Sequence, residues 1–244
     1  MPWTGPFTPS GRSALVPDGP WTYVMDSIAV HARAEPERIR EVLPPELRPL
    51  GDLWFYVADI ISYSESSEEM NYLAPDLLQY REAAVFVKVE LGGRNYAYCP
   101  FMYVDNDLSL VRGIIFGFPK KIAEIEMTRF HELFETRRYG GAAYRAGYSL
   151  FRILVEPKTS LGRIPFDDFG SWLLRRYLKP IGVDDYVEFV PQAYYSRILS
   201  GEARLEVGGG FNDELEHLRP SEILGGYLYS VRLRASEIRS LGRV

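Results

Sequence analysis
The sequence predicts an α+β, β-rich fold, built as one domain on a large antiparallel sheet with a few short helices. Three observations carry this. Aromatic residues are abundant, with 17 Tyr, 13 Phe and 4 Trp in 244 residues, and ring side chains suit a pleated, half-buried surface better than a helix. Apolar and β-branched runs recur between breaks at Gly, Pro and Asn/Asp, the punctuation of a sheet protein. No repeat or linker interrupts them, so residues 21–244 are expected to form a single domain behind a Pro- and Gly-rich irregular arm at 1–20. A hydrophobic fraction of 46% in a chain of this length can supply a sizeable core.

Taken in order, Trp21 to Ala34 alternates loosely through Tyr23, Met25, Ser27, Ala29 and His31, as a strand with both faces partly covered does. Glu35-Pro36-Glu37 opens a short helix that runs to about Leu43, with Pro36 in its first turn and Pro44-Pro45 closing it. Leu53 to Tyr63 is a second strand, and Asp59 is a lone acid in its apolar run. Residues 64–79 are polar and irregular, a plausible lid. Ala83 to Leu91 and Tyr96 to Val104, joined through Gly92-Gly93, form a hairpin. Asp107 is placed to cap a short helix through Leu108, Leu110 and Val111 that stops at Gly113 or Gly117. Lys121 to Arg138 reads as a long strand turned at Gly140-Gly141, with Ala142 to Glu156 returning. Residues 166–178 fit helix or strand equally. Strands at Val187 to Ile198, Ala203 to Val207 and Leu224 to Leu233 complete the pattern, and Gly208-Gly209-Gly210 is a turn.

Composition excludes several functions. A net charge of −5 and the lack of a basic cluster with interleaved aromatics argue against nucleic acid. No run approaches the ~20 apolar residues of a membrane helix, and no basic segment followed by an apolar one marks a secretory signal. The single cysteine, Cys99, forbids an intrachain disulfide and fits a reducing cytoplasm; it sits among Tyr96, Tyr98 and Phe101 as a buried small hydrophobe. His31, His131 and His217 lack metal-ligand spacing, so neither metal nor cofactor is indicated. There is no G-x-S-x-G elbow, phosphate loop, dinucleotide fingerprint, H-E-x-x-H or C-x-x-C. A lysine amine is the remaining candidate for covalent work.

The stretch that offers one is Gly117-Phe118-Pro119-Lys120-Lys121, entered from Gly113-Ile114-Ile115-Phe116 and followed by no acid until Glu124. Adjacent lysines are ordinarily a solvated turn or strand edge. Taking an ammonium out of water costs several kcal/mol unless it is paired or gives up its proton.

With Glu82 in Tyr80-Arg81-Glu82 and Asp59 in the earlier strand, this motif resembles the acetoacetate decarboxylase family. The likeness extends over most of the chain, through Val42-Leu43-Pro44-Pro45-Glu46-Leu47, Tyr103-Val104-Asp105-Asn106, Arg204-Leu205 and the last strand from Ile223 to Leu233. It implies a sheet closing into a barrel-like form around an apolar cavity, and homo-oligomeric assembly. It also implies that Lys120 forms a Schiff base with a small oxo acid. The family is itself a known case of a lysine activated by desolvation or by a neighbouring cation. Successive strand side chains point to opposite faces, so the cavity is expected to tune Lys120 more than Lys121 does. Glu82 is the candidate for proton transfer and Asp59 its support, with Met25, Tyr80 and Phe118 as pocket residues. Decarboxylation of acetoacetate or a related 3-oxo acid is the first expectation. One departure favours an alternative: the family's decarboxylases carry an arginine in the first core strand, where Tyr23-Val24-Met25-Asp26-Ser27 has none. Related members work as pyruvate-dependent aldolase-dehydratases. A non-catalytic barrel that binds a hydrophobic carbonyl compound is a third reading.

Overall fold
The computed structural model, which describes residues 2–134 and 136–242, places strand β1 at Trp21–Arg33, helix α1 at Pro36–Arg40 and strand β2 at Arg48–Ser64. A four-residue helix α2, Met70–Leu73, precedes the β3–β4 hairpin of Gln79–Leu91 and Arg94–Val104. Gly92 and Gly93 both take positive φ, 58° and 79°, as a two-residue turn matching the strand twist requires. Helix α3, Asp107–Phe116, leads to the short strand β5, Lys120–Ile122, and to β6, Glu124–Met127. Then follow β7, Tyr139–Arg145; β8, Tyr148–Ser160; β9, Ser171–Leu178; β10, Val183–Val207; and β11, Glu222–Gly242.

Among the described residues these strands make one sheet in the order β11-β1-β2-β3-β4-β9-β10-β8-β7-β6, with β5 on β4. β10 also pairs β11, so the strands from β11 through β4 and β9 to β10 close into a ring. Most neighbours are antiparallel, as expected. The β4–β5 and β4–β9 pairs are parallel, because α3 and the segment before β9 return the chain to β4 in its own direction.

Strand alternation builds two cores. Leu53, Phe55 and Val57 of β2, with Ile28 and Val30 of β1 and Ala83, Val85 and Val87 of β3, pack under the β6–β8 layer against Ile125, Phe151 and Ile153. The intervening residues Met25, Trp54, Tyr56, Ala58, Phe86 and Met102 form a second cluster with Tyr227, Tyr229 and Val231 of β11. Each fully buried large apolar side chain contributes about 1.5–3 kcal/mol, so both faces of β1–β4 are committed. The arm before β1 packs through Val16 with Trp21 and Leu108, and Trp3 meets the Phe116 ring at 5.2 Å.

Several element expectations change. The α3 cap is Asn106, whose side-chain oxygen accepts from the Ser109 N–H at 2.8 Å, because Asp107 instead bonds the adjacent Leu108 N–H. The strand expected from Lys121 to Arg138 is instead β5 and β6, interrupted at Ala123 and ending at Met127; Arg129, His131 and Leu133 lie outside any strand, and Glu135 lies outside the described residues. Gly140 and Gly141 are inside β7 and not at its turn: a Cβ on Gly141 would come within 2.9 Å of Val57, so glycine lets the two layers meet. The turn is at Ala146-Gly147, both with positive φ. Residues 166–178 resolve into a 3-10 turn and β9. The strands foreseen separately at 187–198 and 203–207 are one, β10. Segment 64–79 holds α2 and a 3-10 turn. No described helix is long and apolar enough to cross a membrane.

Candidate active site
Helix α3 ends at Gly117, whose φ of +99° is the left-handed cap conformation that favours glycine. Phe118-Pro119 then turns the chain onto β4, where Lys120 lies beside Met102 and Lys121 beside Tyr103. Met102 belongs to the cluster inside the ring and Tyr103 to the other core. The two lysines therefore part company by strand alternation alone.

The Lys120 side chain is 6% exposed. Its Nζ donates to Glu82 Oε2 at 2.8 Å and to Ser109 Oγ at 2.9 Å, and it lies 5.5 Å from the Tyr80 ring centre and 5.9 Å from that of Phe118. Glu82, carried by β3, is 7% exposed; its other oxygen accepts from the Tyr56 hydroxyl at 2.5 Å. Burial, reinforced by the Glu82 carboxylate, pushes the Tyr56 and Tyr80 hydroxyls far above the usual phenol range. Both phenols stay protonated: Tyr56 donates to Glu82, and Tyr80 accepts from Arg112. Burial likewise raises the Cys99 thiol, in keeping with an inert core cysteine.

Around this pair lies a cavity of about 50 Å3, walled by Met25, Tyr80, Phe118, Trp172 and Phe189, with Glu82 and Lys120 facing it. Larger grooves exist on the surface, such as one of about 470 Å3 beside Glu126 and Arg152. The buried ionisable pair is in the small cavity, and buried charge in a cleft is the stronger functional sign.

Arg112 of α3 also lines the cavity, and nothing in the sequence reading singled it out. It is 1% exposed. Its Nη2 donates to Ser62 Oγ at 3.2 Å and to the Tyr80 hydroxyl at 3.4 Å, and the guanidinium lies 4.2 Å from the Trp21 ring centre and 4.9 Å from that of Tyr23. Its Nη1 is buried with no hydrogen-bond partner, and among the described residues no carboxylate pairs with it. A buried guanidinium held by rings and neutral hydroxyls alone is costly unless an anion completes it. Met25 does stand at the cavity wall where an arginine was missed; Asp26 turns away and accepts from Ser230. The cavity's arginine comes from the helix instead. The signal was a lone cation in Leu108-Ser109-Leu110-Val111-Arg112-Gly113-Ile114-Ile115, without an acid one turn away.

Thus Lys120, Glu82, Met25, Tyr80 and Phe118 are brought together, joined by Ser109, Tyr56 and Arg112. Asp59 is not. It projects from β2 on the face of Phe55 and Val57, 30% exposed, and pairs with Arg129 at 3.3 Å. Lys121 is 29% exposed on that other side, where its Nζ donates to Asp213 at 2.8 Å and to the Asn212 carbonyl. Asp213, nearly buried, also accepts from the Tyr103 hydroxyl at 2.9 Å and from Arg145 at 3.2 Å. None of residues 64–79 lines the cavity.

Residues 4–243 match the family model described as acetoacetate decarboxylase. A comparison with curated proteins finds no match. Among solved structures, an acetoacetate decarboxylase-like enzyme from Sphingomonas wittichii RW1 is 27% identical over the whole of both chains, with a TM-score of 0.91. The enduracididine biosynthesis enzyme MppR, solved with pyruvate, is 23% identical over 99% of this chain and 98% of its own, with a TM-score of 0.89. The acetoacetate decarboxylase of Legionella pneumophila is 14% identical over 93% and 88%, with a TM-score of 0.78.

Proposed function
The chain belongs to the acetoacetate decarboxylase family, and from that premise we propose that it is an imine-forming carbon–carbon lyase acting on a small oxo acid, with Lys120 as nucleophile. One observation carries this: the Lys120–Glu82 pair, almost wholly buried, faces a small cavity walled mainly by apolar and aromatic side chains. Glu82, 2.8 Å from Nζ, accepts a proton from the ammonium. The free amine adds to the substrate carbonyl, and the carbinolamine loses water as Glu82 returns the proton to the leaving hydroxyl. The resulting iminium draws electrons from the adjacent carbon. Tyr56 holds Glu82, and Ser109 steers the amine. Lys121 anchors β5 from the other face and Asp59 has no part in the chemistry.

Arg112 favours one of the two bond changes. A carboxylate bound by its free Nη1 is stabilised as an anion, which opposes the flow of charge out of that carboxylate in decarboxylation. A 2-oxo acid such as pyruvate keeps its carboxylate, loses a C3 proton to give an enamine, and adds through C3 to an aldehyde. Subsequent loss of water gives the unsaturated product of an aldolase-dehydratase. The pyruvate named for one structural neighbour is of this class. Decarboxylation of a 3-oxo acid through the same iminium is the second reading, supported by the Glu82 carboxylate, which repels a substrate carboxylate placed on its side of the cavity. We further propose a cytoplasmic homo-oligomer.

Borohydride added with pyruvate or with acetoacetate is expected to fix a reduced adduct on Lys120, mapped by peptide mass. A folded sample that forms no adduct with any 2- or 3-oxo acid would leave only a non-catalytic carbonyl binder. Carbon dioxide release from acetoacetate, measured beside the absorbance of an unsaturated product from pyruvate and an aldehyde, separates the two lyases.

A further inference from the structure
Glycine is among the poorest helix formers, yet Gly113 occupies the interior of α3 in ordinary helical backbone. It has none of the positive φ that explains Gly117. Its reason is steric. A Cβ built on Gly113 would fall 2.4 Å from Lys120 Cδ, 2.6 Å from Cε and 2.9 Å from Cγ, far inside van der Waals contact. The lysine shaft lies across the helix in the slot that the missing methyl leaves. A flexible side chain ordinarily swings clear of such a clash, but this one is held at both ends. Its backbone is paired to β4 beside Met102, its head is bonded to Glu82 and Ser109, and it is 6% exposed. Ser109 and Gly113 are four residues apart and so share one helix face. One supports the amine while the other passes its shaft.

We propose that Gly113 is a positioning residue that sets the reach and direction of the Lys120 amine, an inference that rests on Lys120 being the imine-forming group. The slot explains why a mid-helix glycine is kept where alanine would stabilise the helix. A methyl there displaces the amine by about an ångström while leaving Arg112, and hence the binding of the acid's carboxylate, in place.

The test is a cycle of Gly113→Ala with and without Lys120→Ala, read by melting temperature and, where Lys120 is present, by borohydride trapping with pyruvate. In the Lys120→Ala background, Gly113→Ala should leave the melting temperature unchanged or raise it, since the slot is vacant and alanine is the better helix former. With Lys120 present, it should lower the melting temperature relative to its effect in the Lys120→Ala background, and in the folded protein cut the trapping rate about 100-fold, the cost of a misplacement of about 1 Å. The kcat should fall by a similar factor with KM changed less than threefold. Trapping within a few-fold of the parent in folded Gly113→Ala overturns the proposal. So does an equal drop in melting temperature in both backgrounds, which would make Gly113 a general packing residue. If the parent itself traps no oxo acid, the proposed function falls, and the melting cycle still decides whether the slot exists for the lysine.

Discussion
Two adjacent lysines of one strand meet opposite fates. Lys120 enters a cavity of rings where its partners are one carboxylate and one hydroxyl, while Lys121 reaches a partly wet surface to hold Asp213 and the Asn212 carbonyl. Composition cannot tell them apart. The difference comes from the period of two in β5 and from the partner strand, whose Met102 and Tyr103 face different cores. A Lys-Lys pair on a strand is therefore two separate devices, a buried amine facing a cavity and an anchor at the surface, and variants of their surroundings test whether the two are separable.

The largest effect is expected from Lys120→Met, which should abolish the borohydride adduct, whereas Lys121→Met should keep trapping within about tenfold of the parent, the neighbour being a structural tether and weakly coupled at long range. Comparable losses in both would collapse the distinction. Glu82→Gln keeps the shape of the pair and removes the proton acceptor; single-turnover imine formation should slow by about 10²–10⁴-fold. Arg112→Leu should raise KM for the oxo acid about 10- to 100-fold, following the ~1.5–3 kcal/mol of a hydrogen bond to a charged group, with kcat affected less. An unchanged KM would remove Arg112 from substrate binding. On the other face, Asp213→Asn should lower denaturant stability by about 2–3 kcal/mol, less than the full cost of a broken buried pair because Lys121 and Arg145 reach solvent. Smallest of all, Asp59→Asn breaks an ion pair whose Arg129 is 71% exposed, and should change stability by less than about 1 kcal/mol and trapping not at all.

Much of this was legible in residue order. The hairpin at Gly92-Gly93, the α3 stop at Gly117 and the placement of Lys120, Glu82, Met25, Tyr80 and Phe118 follow from local rules of alternation and capping, together with the family resemblance. Asp59 misled because β2 is covered on both faces: an apolar run on each side of an acid hides which face it takes, and only the register across to Arg81 places it away from Glu82. The misplaced turn at Gly140-Gly141 has the same origin, since glycine also serves close approach between layers, and the Val57 it meets is distant in sequence. Arg112 and Ser109 were missed because helical residues declare their partners only once the helix is docked. A buried arginine and a buried serine on α3 acquire meaning from Tyr80, Ser62 and Lys120, all supplied by other elements.

The pairing of β11 with β1 inside the ring bears on when the cavity is enclosed. Met25 pairs with Val231, and the cavity walls include Tyr23 and Met25 from one end of the chain and Leu233 from the other, about 200 residues away. Contacts so distant in sequence are slow to form in folding. Helix α3, β5 and the Glu82 strand all precede β11 in the chain, so the wall that Leu233 supplies is the last part of the cavity to be made. Enclosure of the Lys120–Glu82 pair is therefore completed only when the final strand pairs with the first.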